Sequence, residues 1–233
     1  MLIVGHTALA YLMTRPFLNL DKSSLISKNI FFIFIFANII DVINFSFLRY
    51  FSHTLIGIFL FTGFWLMFFI KFNIIEKRIF PLFLLAACSQ IIGDYLFGEI
   101  YLFAPIINTS YTVYGGYCHL GQIAESFVFM IFYAVFVFSK DYHYMREFIH
   151  NEKQKFVKNF KIKKIFNPEF YIFYLFILFI LFSIAQFGYF FNGCIDCLKN
   201  YILAPYIYLL CFILFLGIFS LIGFGKIQKN STT

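Results

Sequence analysis

The sequence predicts an all-α fold, a polytopic membrane helical bundle with six long transmembrane helices plus a short N-terminal membrane helix, and with its C-terminus in the cytoplasm. Three observations carry this. Hydrophobic residues make up 62% of the 233 and charged residues only 12%, against about 25% charged in soluble domains. The 39 phenylalanines exceed what a soluble core absorbs without large exposed apolar patches. Sixteen of the 18 Lys and Arg residues fall on alternate connections between apolar runs, the pattern of the positive-inside rule. Helices satisfy the backbone in lipid, and no alternating ten-residue pattern suggests a barrel. The net charge of +7 belongs to the same inside bias, so no nucleic acid partner is expected.

The elements follow in order. A short apolar run, residues 2–14, is closed by Arg15-Pro16. It carries no signature of a cleavable signal peptide, because His6 interrupts it and no small-residue cleavage site follows. Six longer runs cover about 29–48, 54–71, 79–98, 121–139, 169–191 and 201–225, each near the ~20 residues a bilayer core requires. The basic connections hold Arg15, Lys22 and Lys28, then Lys71, Lys77 and Arg78, then eight residues between Lys140 and Lys164, then Lys226 and Lys229. Only Arg49 and Lys199 lie on the other side. This divides the chain into a membrane-embedded core, 1–139, a solvated basic cytoplasmic connector, 140–168, and a C-terminal helix pair with a basic tail, 169–233. The last pair, almost without ionisable groups, reads as a scaffold or a dimer face. Cys194 and Cys197 in the outer loop between its helices are suited to a disulfide on that side.

Ionisable groups are costly in a bilayer, about 2.5–3.5 kcal/mol at a helix centre, so their placement is informative. The Lys and Arg topology brings His6, Asp41, His53, Asp94 and Glu125 to similar depth at the outward-facing ends of five segments. Asn38, Asp41 and Asn44 are spaced to share one helix face, as are Gln90 and Asp94. Two carboxylates and two imidazoles from different helices call for a cation. A divalent ion takes N and O donors together and binds phosphate oxygens, and Arg49 at the rim suits an anionic group. Each residue also has a plainer reading: His53 as a helix cap, Asp41 as a packing partner of Asn38 and Asn44, Asp94 as an ion-pair partner of Arg49, Glu125 as a helix-terminal charge.

In these residues the chain resembles the bacterial inner-membrane metal-dependent hydrolases, also described as LexA-binding membrane-associated hydrolases. The matching pieces are Gly5-His6, Asp41, Arg49-Tyr50-Phe51-Ser52-His53-Thr54-Leu55, Ser89-Gln90 with Asp94, Tyr101-Leu102-Phe103-Ala104-Pro105, and Glu125. They keep their order over about residues 1–140. Where the family pattern has further Asp and His residues, this chain has Ile43, Asn44, Leu48 and Gln90.

The resemblance implies a multi-pass protein of the bacterial inner membrane that hydrolyses a phosphoester or a lipid-linked substrate at the outer leaflet. His6, Asp41, His53 and Asp94 are then ligands of a divalent metal ion, zinc or manganese. Asn44, Gln90 and Arg49 contact substrate or water, and Glu125 or His119 is the general base. The expected partners are membrane lipids, a phosphorylated or lipid-linked substrate, and a second copy in a homo-oligomer. Two alternatives stand beside this: a degenerate, non-enzymatic relative of the same fold, favoured by the substitutions at Leu48 and Gln90, and a transporter, since intramembrane carboxylates also mark ion paths.

Overall fold

The computed structural model describes residues 3–18, 23–41, 51–72, 75, 79–97, 100–104, 106–107, 109–113, 120–160, 171–193 and 203–224. Among them are eight α-helices and no strand: α1 (Ile3–Thr14), α2 (Ser23–Asn38), α3 (Leu55–Lys71), α4 (Phe80–Phe97), α5 (Leu120–Phe138), α6 (Asp141–Phe160), α7 (Tyr171–Gly193) and α8 (Leu203–Phe224). A 3₁₀ turn, Arg15–Phe17, closes α1, with Pro16 in its first positions, where a missing N–H costs nothing.

The shortest apolar segment is the centre of the bundle. Helix α1 packs on α2, α4 and α5 and also touches α7 and α8. It buries Val4, His6, Thr7, Ala8, Ala10 and Tyr11. A helix buried on all sides has no amphipathic stripe, which is why its 12 residues read as uniformly apolar. Close approach is made possible by small side chains on both partners, Gly5, Ala8 and Ala10 on α1 and Ala86, Ala87, Ser89 and Gly93 on α4, the usual device where lipid supplies no hydrophobic drive between helices. Deeper in, edge-to-face aromatic contacts join the elements: Tyr11 lies 5.2 Å from Phe132 and 5.3 Å from Phe136, and Phe32 lies 5.3 Å from Phe69.

The outside of the bundle is as apolar as the inside. On α3, Gly57, Ile58, Thr62, Leu66 and Phe69 turn inward, while Ile56, Phe59, Leu60, Phe64 and Met67 form an exposed stripe. Such a surface suits a bilayer and not water. Among the described residues, three helical stretches are long and apolar enough to cross a membrane, Phe80–Phe97, Gly121–Phe138 and Tyr206–Gly223, and Ser27–Asn38, Leu55–Lys71 and Tyr174–Ala185 are shorter apolar helices.

Two expectations shift. The second apolar run, expected over 29–48, is helical from Ser23 and ends at Asn38, so Asp41 lies beyond the helix end and not two turns inside it. Asn38 marks the stop: its side-chain amide donates to the Phe34 carbonyl at 2.8 Å and to Thr7 Oγ1 at 2.9 Å, the competition with helix continuation typical of Asn. The basic connector is helical over Asp141–Phe160. Its buried residues Asp141, Met145, Ile149 and Glu152 recur at helical spacing, and it packs on α2 and α8 where a solvated linker was expected.

An ion pair fixes the end of α1 opposite His6. Arg15 Nε donates to Asp141 Oδ2 at 2.5 Å and Nη2 to Oδ1 at 3.3 Å, and the Tyr11 hydroxyl donates to the same carboxylate. Asp141 is brought there by a sharp turn at Lys140, whose φ of 60° lies in the left-handed region. The Asp141 side chain is fully buried, and that of Arg15 is 19% exposed. Replacing Arg15 by Leu strands a buried carboxylate and lowers stability in detergent by about 2–3 kcal/mol, whereas replacing Lys155, whose side chain is 61% exposed where it reaches Glu152, costs under about 1 kcal/mol. Thermal unfolding of the two variants checks the difference, and equal melting temperatures would remove this ion pair from any role in holding α1.

Candidate functional site

Four of the residues named from the sequence meet at one end of α1. His6 is on α1, Asp41 follows the end of α2, His53 lies in the turn before α3, and Asp94 is in the last turn of α4. His6 Nε2 lies 3.6 Å from Asp41 Oδ2 and 3.4 Å from Asp94 Oδ1. His53 Nε2 lies 3.1 Å from Asp41 Oδ1 and 3.7 Å from Asp94 Oδ2. Each imidazole thus faces both carboxylates, and each carboxylate turns one oxygen to each imidazole, so the four close into an alternating ring. His6, Asp41 and Asp94 are buried, and His53 is the most open member, with a side chain 13% exposed. The separations are those of ion-pair partners. Among the described residues no three His, Cys, Asp or Glu groups are already drawn together as a finished metal cage.

Local structure explains how the ring is held. Thr54 caps α3, its Oγ1 accepting from Gly57 N at 3.0 Å and donating to the Phe51 carbonyl at 2.8 Å. A Cβ on Gly57 would lie 1.8 Å from the Phe51 carbonyl oxygen, so only glycine permits the turn that carries His53. Ser52 Oγ stands 3.0 Å from His53 Nδ1, a hydrogen bond that orients the ring and directs Nε2 at the carboxylates. The backbone of Leu55 donates to the Leu102 carbonyl at 3.2 Å. The Tyr101–Ala104 part of the aromatic motif is therefore a brace on the start of α3, and Pro105 lies outside the described residues.

Hydrogen-bond capacity is left over around the ring. His6 Nδ1 and Nε2, Asp41 Oδ2 and Asn38 Oδ1 are buried without a hydrogen-bond partner among the described residues, as are both amide atoms of Gln90. Gln90 lies one turn deeper than Asp94 on the same face of α4. Buried polar atoms are normally satisfied, and among the described residues the unsatisfied ones include these neighbours of the two carboxylates.

Glu125 is buried on α5 but reaches α1 elsewhere. A Cβ on Gly5 would lie 2.3 Å from its Oε1, so this carboxylate presses on Gly5, while the ring meets α1 at His6. Consecutive helical residues point about 100° apart, and Glu125 therefore lies to the side of the ring. Its partner is Tyr208 of α8, whose hydroxyl hydrogen-bonds the carboxylate. The sequence reading missed Tyr208, one of 16 tyrosines in an apolar helix with no local signal. Arg49, Asn44 and His119, with Cys194 and Cys197, lie outside the described residues.

Comparison with protein-family models, with curated proteins and with solved structures finds no match, so the family resemblance rests on the residues themselves.

The Gly5–Glu125 contact predicts a compensating pair. Gly5→Ala forces Glu125 aside and lowers stability by about 1–3 kcal/mol, the usual range for overpacking. With Glu125→Ala already present, the added methyl has room and costs under about 0.5 kcal/mol. Additive losses in a double-mutant cycle read by thermal unfolding would show that the two residues do not touch.

Proposed function

We propose that the protein is an integral-membrane, metal-dependent hydrolase whose site opens at the outward-facing end of the bundle. The single observation that carries this reading is the closed ring of His6, Asp41, His53 and Asp94. The ring brings two imidazole nitrogens and the oxygens of two carboxylates within 3.1 to 3.7 Å of one another, a mixed N and O donor set of the kind a divalent ion takes. The unsatisfied His6 Nε2 and Asp41 Oδ2 fit the same account, since both lack a hydrogen bond while facing a common centre. Two buried carboxylates also carry two negative charges, which a divalent ion neutralises.

A zinc or manganese ion bound there supplies a Lewis acid and lowers the pKa of its water. The chain's own residues do the rest. Ser52 orients His53, and Gln90, with two unpaired donors and one acceptor site in its amide, holds water or a substrate oxygen. Arg49 and Asn44 are assigned to an anionic substrate group, in keeping with a phosphoester or lipid-linked substrate, a class suggested by the family resemblance. His119 is the general base in this reading. Glu125, engaged by Tyr208 and turned toward Gly5, acts on the site through α1.

The ends bearing Arg15, Lys71 and Lys140 face the cytoplasm of a bacterial inner membrane in this reading. The long helices cross it six times beside the short α1, the C-terminus is cytoplasmic, and the site faces the outer leaflet. The opposite placement of the Arg15–Asp141 pair and the ring along α1 supports that sidedness. Purified protein is expected to hold about one zinc or manganese per chain, lost in Asp41→Ala and in His53→Ala. Elemental analysis and titration decide it, and a metal-free protein indifferent to both substitutions overturns the reading.

A second reading, a degenerate relative that retains the fold without turnover, draws support from Gln90, whose amide stands where the family pattern has histidine. In that case wild-type protein binds metal weakly, and Gln90→His raises the affinity by about tenfold or more. An unchanged or weaker affinity in Gln90→His favours the active-enzyme reading.

A further inference from the structure

The last helix, read from sequence as an appended scaffold, is joined to the ring end of α1 through a short buried chain of contacts. Tyr208 is 2% exposed and Glu125 3% exposed, and the two are hydrogen-bonded. Glu125 Oε1 in turn presses on Gly5, where a Cβ would lie 2.3 Å away, and the next residue along α1 is His6. Helix α8 itself is braced by α6, which it packs against along with α5.

A carboxylate buried this deeply stays in one position only while a donor holds it. The Tyr208 hydroxyl is a donor to Glu125, and its loss loosens the hold on the carboxylate that backs the α1 backbone beside His6. Metal affinity is sensitive to such supports, whose loss commonly costs 10–100-fold.

We infer that Tyr208 is a positioning residue of the ring site, holding Glu125 against Gly5 and thereby setting His6, so that α8 is a working part of the site. This rests on the metal-site reading proposed above.

The probe is cobalt(II) added to the purified full-length protein in detergent, with affinity from titration and donor geometry from its visible absorption band. Wild-type protein binds one equivalent. Tyr208→Phe, which removes only the hydroxyl, weakens binding about tenfold and shifts the band. Leu210→Ala, on the half-exposed face of α8, changes neither. If Tyr208→Phe lowers the melting temperature but leaves affinity and band unchanged, the tyrosine is merely structural and the inference is overturned. Should Tyr208→Phe fail to fold, Glu125→Ala, which removes both the acceptor and the contact with Gly5, takes its place, and unchanged cobalt binding in that variant overturns the inference equally. A wild-type protein that binds no cobalt overturns the metal-site reading itself, an outcome distinct from the others.

Discussion

Two buried carboxylates facing two imidazoles are the constraint on which the His6 end of this bundle depends. Asp41 and Asp94 are only 6% and 3% exposed in a protein whose exterior is apolar, and an uncompensated charge in such a setting is expensive. Everything around them answers that requirement. His6 and His53 approach from opposite segments, each facing both carboxylates. Ser52 fixes the angle of His53, Thr54 and Gly57 fix the turn that carries it, and the Leu102 carbonyl ties that turn to the loop after α4. The two negative charges must be balanced by protons on the imidazoles or by a cation between them. Six atoms share the contacts, one nitrogen of each imidazole and both oxygens of each carboxylate.

The short first helix follows from the same constraint. His6 has to reach Asp41 and Asp94 at one end, and Arg15 has to reach Asp141 at the other, so α1 is tied by polar contacts at both ends while small residues along it let α4 approach. A full-length lipid-facing span would gain burial only from its flanks. A short helix enclosed by others is held by contacts on every side, and the nine-residue separation of His6 and Arg15 puts the two polar ends about 14 Å apart along the axis, at about 1.5 Å per residue.

Much of this was legible in the sequence because charge in lipid is informative whatever its neighbours. Lys and Arg counting alone brought His6, Asp41, His53, Asp94 and Glu125 to one end; the first four meet, and Glu125 lies to their side against Gly5. The packing details were not legible. Gly5 and Gly57 matter through what a methyl group would strike, Glu125 and the Phe51 carbonyl, and no local pattern announces a neighbour 120 residues away. Tyr208 was hidden for a related reason, since one hydroxyl in an apolar helix looks like any interfacial tyrosine until its partner is known. The shift of α2 to begin at Ser23 and stop at Asn38 has a different cause. Hydropathy runs on through Ile39 and Ile40, but the Asn38 side chain bonds to Phe34 and Thr7 and ends the helix there.

The substitution at Gln90 is best understood through burial. Gln90 is fully buried, and neither amide atom has a hydrogen-bond partner among the described residues. A buried, unpaired amide costs about 1–3 kcal/mol, a cost that helix packing alone does not call for. The amide lies one turn from Asp94 on the same face of α4, so the polar character of this end of the bundle extends past the four ring residues.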